Sequence, residues 1–241
     1  MKIFLMLSIT GVFLISCSKE VVWSAGEKTS RTVPLNPYGI VKINSNFDVL
    51  LVQDTTCFAM ITCGKNLIER VKITQEADNI ELSEFTDMNW TRSYQRTRIE
   101  LHFKQLQFIE INDCVKMESK GAWKEPLISL WVNSDLSEMY IQVECNQFKL
   151  SVSDDNFGIY RVSGVTGSSC LEPNGSAHFR MENLETDSCH VVHKGIGDCY
   201  VNVKRILEGN ITAKGRLYFK NNPFLRMNIE NKKGKIIPFS N

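Results

Sequence analysis

Tyr140, Arg161, Arg180, Tyr200 and Tyr218 follow one another at intervals of eighteen to twenty-one residues. If the chain returns them to one face, flat phenol rings interleaved with guanidinium groups can stack on sugar rings and hold carboxylated glycans. The same set can also stabilise itself without a ligand, since an arginine over a tyrosine contributes about 0.5 to 1 kcal/mol at an exposed site. Gln142, Ser163, Glu182, Asn202 and Lys220 recur at the same spacing and would form an adjacent polar column. Trp131 is outward by alternation. Trp90 and Tyr94 fall in a polar, aromatic and basic stretch, Phe85 to Arg98, which reads as an inserted loop.

Other chemistry is sparser. Asp135 and Asp155 are expected at the same corner of successive turns, with side chains about 5 Å apart, the separation that retaining glycosidases use. With Asp154 they also make a calcium candidate, because hard oxygen ligands gather at turns. The plainer account is that aspartate suits corners. His190 and His193 have a metal-like spacing, but three residues apart on a strand they point to opposite faces and read as surface or half-buried imidazoles. Of eight cysteines, seven remain if Cys17 is consumed by a lipid. Cys145 and Cys199 read as inward, and Cys170 aligns with Cys189 on the next turn within disulfide range, although buried thiols acting as small hydrophobes are the simpler reading. No Ser/His/Asp order, phosphate loop or Cys-x-x-Cys pair is recognisable, and no cofactor is implied.

The elements that must position these residues are short and extended. Ile128/Leu130/Val132, Met139/Ile141/Val143, Phe148/Leu150/Val152 and Tyr160/Val162 alternate with polar residues, the signature of strands with one buried face. Phe179/Met181, Cys199/Val201 and Leu217/Phe219 repeat the pattern. Asp135, Asp155, Gly175, Gly195 and Gly215 mark corners at a strict interval of twenty, where glycine supplies positive φ. A repeat of this length reads as a solenoid, whose turns bury apolar surface by stacking on each other. Earlier runs, among them Val41/Ile43, Met60/Thr62, Ile80/Leu82 and Ile99/Leu101/Phe103, alternate with a looser period. The reading is one all-β domain over 31–241, a β-helix with coils of about twenty residues.

The N-terminus carries an address. Lys2, an apolar run from Ile3 to Ile15 and Leu14-Ile15-Ser16-Cys17 make residues 1–16 a signal peptide, too short to span a bilayer. That tetrapeptide resembles the bacterial lipobox, which makes Cys17 the lipidated residue and 17–30 a tether to the membrane. The mature chain is near neutral without a long basic run, which argues against nucleic acid as a partner.

The segments VKINSNFDVLLVQD, NLIERVKITQEADNIELSE and RIELHFKQLQFIEINDCVKMESKG, followed by repeated LxVxxSD-type coils, resemble the auto-transporter adhesin, or head GIN domain, family over roughly Arg31 to Lys235. Gly195-Ile196-Gly197 and the stretch Ala213 to Phe224 are similar to that family's closing coils. The chain departs from it where Asn44, Asn112, Asn133 and Asp154-Asp155 stand in place of Ser-Gly pairs. The resemblance implies a right-handed single-stranded β-helix in lipoproteins of the Bacteroidetes type, and no catalytic residues. The expected function is a non-catalytic binding, adhesion or structural module of the outer membrane, facing the periplasm or the exterior, with a glycan or an envelope protein as partner. The alternative is a polysaccharide lyase or hydrolase, which the Asp135/Asp155 corner would have to serve.

Overall fold

A strand with apolar residues on one side buries them when further strands lie beside it and a second sheet faces it, and here both come from the chain's own next turns. The structure, a computed structural model, describes residues 25–85, 96–230 and 233–240, so Cys17, Trp90 and Tyr94 lie outside the described residues. Five long strands carry the repeat: β9 (Lys116–Val132), β10 (Glu138–Val152), β11 (Ile159–Glu172), β12 (His178–His193) and β13 (Asp198–Ile211). All four neighbouring pairs are parallel. Each strand bends midway, at register shifts near Tyr140, Arg161 and Met181, so one strand serves both sheets of its coil. The last coils divide into β14 (Arg216–Lys220), β15 (Phe224–Ile229) and β16 (Lys235–Pro238). The β-solenoid has about six turns, and no α-helix occurs among the described residues.

The inward columns are filled as the alternation requires. Met117, Met139, Tyr160, Phe179, Cys199 and Leu217 stack in register and are all buried. Polar corners are tied to each other: Asn112 Nδ2 donates to Asn44 Oδ1 at 2.8 Å and Asn133 Nδ2 to Asn112 Oδ1 at 2.9 Å. Asn44, Asn112 and Asn133 thus form a side-chain ladder up one edge.

The looser period of the first hundred residues has a topological cause. β2 (Ile40–Ile43) and β3 (Phe47–Gln53) make one coil, and later chain packs on both sides of it. β6 (Asn79–Glu84) and β7 (Thr97–Phe103) stack on one side, β8 (Phe108–Ile111) and β9 on the other. Three antiparallel strands, which periodicity did not foretell, sit at that end: β1 (Lys28–Pro34) and β4 (Phe58–Gly64) beside β7, and β5 (Val71–Glu76) beside β6.

Several expected orientations are corrected. In β4 the buried residues are Ala59, Ile61 and Cys63, with Met60 and Thr62 on the other side, because Ala59 and Ile61 pair with Leu101 and Ile99. Thr97 and Arg98 belong to β7 and not to the inserted loop. Cys145 is only half-buried. Cys170 opposes Lys149 and His190, while Cys189 opposes Ser169, because β11 and β12 pair there at a spacing of twenty residues and the two cysteines are nineteen apart. All seven described cysteines are free thiols. His193 is wholly buried: its Nδ1 accepts from the Gly195 amide at 3.3 Å and its Nε2 lies 3.0 Å from the Gly197 carbonyl.

Candidate functional site

The five-residue column exists as a ladder. Tyr140, Arg161, Arg180, Tyr200 and Tyr218 occupy one register position on β10 to β14, and strands of this kind stack about 4.8 Å apart. Outward alternation carries them to the surface while Met139, Tyr160 and Phe179 hold the backbone from within. The Arg161 guanidinium lies 5.0 Å from the Tyr140 ring centroid and donates from Nη1 to the Tyr140 hydroxyl at 2.9 Å. Arg180 sits 4.5 Å over the Tyr200 ring. Tyr200 and Tyr218 are stacked at 4.5 Å with 7° between their planes.

The two halves of the ladder differ. In the upper half every group is engaged within the protein. Phe239 meets the Tyr200 and Tyr218 rings edge-on at 5.5 and 6.4 Å. Arg216, 5.8 Å over Tyr218, is gripped by both carboxylate oxygens of Asp198 at 2.7 and 2.8 Å. Burial, with Asp198 beside it, raises the Tyr200 pKa against the opposing pull of Arg180 and Arg216. Arg180 donates from Nε and Nη2 to Glu182 Oε1 at 3.0 and 2.6 Å, and this bond raises its pKa. The lower half is open. Arg161 has no carboxylate partner among the described residues, and it lines a groove of about 310 Å³ with Ser119, Tyr140, Gln142, Ser163 and Glu182.

The adjacent polar column is corrected by one residue. A register shift after Arg161 sets Ser163 beside Asn183, and a further one pairs Asn202 with Glu185, so Glu182 is turned toward Arg180 instead. Trp131 is 47% exposed but pairs with Glu110 and Ser151 on the other sheet. It lines a separate groove of about 250 Å³ with Lys149, Cys170 and Glu172 and does not join the ladder.

The acidic corner does not form as expected. Phe157 N donates to the Asp135 carbonyl at 2.6 Å, and Asn156 Nδ2 donates to the Ser134 carbonyl at 2.7 Å, which seats Asn156 over that corner in place of Asp155. Asp154 and Asp155 stand exposed at the tip of a longer turn, and Asp135 is exposed too. No group of three or more His, Cys, Asp or Glu among the described residues could hold a metal ion, so the Asp135, Asp154 and Asp155 calcium site is not assembled. Sequence reasoning missed Asn156, whose buried amide also bonds the Tyr160 hydroxyl and the Gly158 amide. In the sequence it stands between Asp155 and Phe157 in a polar turn and resembled an ordinary turn asparagine.

A parallel β-solenoid with a lateral aromatic and cationic ladder falls in the class of repeat-built solenoid proteins. The chain belongs to the family described as "Putative auto-transporter adhesin, head GIN domain", which matches residues 37–223. Its fold is that of a putative adhesin from Bacteroides fragilis, with a TM-score of 0.80 and 13% identity over 88% of this chain and 97% of the other. A putative adhesin from Parabacteroides merdae superposes with a TM-score of 0.69 at 13% identity, covering 91% and 99% of the two chains. A protein described as a putative lipid binding protein, from Parabacteroides distasonis, gives 0.66 at 14% identity, covering 89% and 98%. No curated protein matches this sequence.

Proposed function

We propose that this chain is a lipid-anchored, non-catalytic binding module of the bacterial envelope that holds extended acidic glycans along the lower half of its ladder. The observation that carries the reading is Arg161: a guanidinium stacked on Tyr140, without a carboxylate partner among the described residues, and open to a groove edged by hydroxyl and amide side chains and by Glu182, which is itself paired with Arg180. Planar guanidinium groups match carboxylate and sulfate geometry, and the neighbouring ring offers an apolar platform for a sugar face. The adhesin description of the family and of its structural relatives supports a surface role, and the Leu14 to Cys17 segment supports a lipid anchor at the outer membrane.

A ladder of modest contacts binds long chains better than short ones, because affinity is summed along the stack. Binding measured by calorimetry against uronic-acid or sulfated polymers of graded length should tighten with length and weaken with salt. Arg161→Ala should reduce it about tenfold or more, in keeping with the loss of a charge-assisted bidentate contact. Equal binding by Arg161→Ala and the unaltered protein, or no binding to any polymer, removes the reading.

A further inference from the structure

The two ends of the solenoid are finished differently. At the N-terminal end, antiparallel strands β1, β4 and β5 flank the parallel coils. At the C-terminal end the strand order stops at β15 on one sheet and β16 on the other, with no further strand beyond either among the described residues. The inward column Ile128, Phe148, Ser169, Cys189, Leu207 and Leu225 makes the consequence plain. Its first five members are buried, and Leu225 is 44% exposed. Phe224 beside it is 62% exposed.

This open end is also where the charge lies. Residues 216–241 contain Arg216, Lys220, Arg226, Lys232, Lys233 and Lys235 against one acid, Glu230, while the whole chain carries only +1. Arg216 is held by Asp198. Arg226 and Lys220 lie over the Phe224 and Phe239 rings at 5.3 and 5.5 Å, and none of Lys220, Arg226, Lys233 and Lys235 has a carboxylate partner among the described residues. The family match ends at residue 223, before β15 begins.

We infer that the C-terminal end of the solenoid is a docking surface for an anionic membrane, with Phe224 and Leu225 entering the headgroup boundary and Arg226, Lys233 and Lys235 meeting lipid phosphates. Aromatic and leucine side chains beside lysine and arginine are the composition that lies in such interfaces. A second copy of the chain fits this end poorly, because an end-to-end pair would set Arg226, Lys233 and Lys235 against their own kind, and Lys and Pro238 on the edge strand oppose strand addition. An anionic leaflet answers both features: it attracts the cations and accepts the apolar side chains.

The test uses the mature chain from residue 17 carrying Cys17→Ser, so that neither the apolar leader nor an acyl chain contributes, in sedimentation with vesicles of phosphatidylcholine alone or enriched in phosphatidylglycerol. Binding should require phosphatidylglycerol and fall with added salt. Each basic residue near an anionic surface strengthens partitioning about fivefold, so Lys233→Glu with Lys235→Glu should weaken it well beyond tenfold. Phe224→Ser, at a side chain already in solvent, should weaken it separately without altering the melting temperature. Binding that is absent, that ignores lipid charge, or that survives the double charge reversal overturns the proposal. So does a concentration-dependent dimer in light scattering that is abolished by Phe224→Ser, since a second copy would then cover the end. Arg161→Ala should leave vesicle binding unchanged, which separates this surface from the groove.

Discussion

At the scale of single residues, position relative to the stack decides what a side chain does. Val201, inward between Met181 and Phe219, is buried. Val201→Asp places an unpaired carboxylate in the core and should cost about 3 to 5 kcal/mol in denaturant melts. Asn202, one residue on and turned outward, accepts from Asn221 Nδ2 at 2.7 Å and donates weakly to the Glu182 carbonyl at 3.4 Å. Asn202→Asp should therefore cost only about 1 kcal/mol, and the reverse order would refute the register. His193 gives a pH signature. Burial lowers its pKa below the ordinary 6.5, outweighing the Gly197 carbonyl and Asp198, which pull the other way. The unfolded chain thus binds a proton more readily than the folded one, and the stability is fully present above about 6.5 and lost as pH falls below it. Melting temperatures from roughly pH 7.5 down to 5 should drop for the unaltered protein and drop less for His193→Asn. Thiols follow the same logic: burial pushes Cys189 up to about 12 and Cys199 well above its usual value, so both should resist alkylation until the fold opens, while half-buried Cys57 and Cys114 react first.

At the scale of the element, the corners fix how close one coil can approach the next. Gly195 is required by contact and not by backbone angle: an added Cβ would fall 2.5 Å from the Gly175 carbonyl oxygen of the coil beneath. Gly121 is the opposite case, with φ +81 and open space around the missing Cβ. Gly121→Ala should cost about 1 to 2 kcal/mol, the penalty of the left-handed region. Gly195→Ala should cost more, because two coils must separate, and comparing the two melts checks the assignment. Bends within β10 to β12 are also local devices, since the shifts near Tyr140, Arg161 and Met181 let one strand turn from one sheet to the other without breaking its ladder. One such shift swings Glu182 onto Arg180 and leaves Arg161 as the open cation of the groove.

For the whole molecule, neighbours hold neighbours. Stability in a stack of this kind is close to a sum over coils and their interfaces, so an internal lesion such as Val201→Asp should loosen β12 to β14 before the N-terminal coils, a difference that hydrogen exchange resolves. The anchor belongs to this scale too. Cys17→Ser should move the protein from the membrane to the soluble fraction and abolish labelling by a fatty-acid probe, since each buried methylene of a lipid contributes about 0.8 kcal/mol. Retention of the label would rule out Cys17 as its attachment site. Charge also has a distribution over the molecule as a whole: an almost neutral chain carries six basic residues against one acid over residues 216–241, at the end farthest in strand order from β1.

The sequence by itself determined the coil, its twenty-residue scale, the buried columns from Ile128 onward and the Tyr140 to Tyr218 ladder, because alternation along a strand and recurrence between strands are both linear patterns. Only the tertiary structure decided the rest. A one-residue change in turn length moved Asp155 away from Asp135, and a one-residue offset in pairing sets Cys170 beside His190 and not Cys189; such a slip reverses which face a side chain occupies. Later strands inserted on both sides of β2 and β3, a long-range pairing that no local pattern encodes. Which ladder cation is satisfied and which stays open depended on bulges two residues away. Whether Leu225 was core or surface depended on no described strand pairing beyond β15, a fact about neighbouring strands and not about leucine.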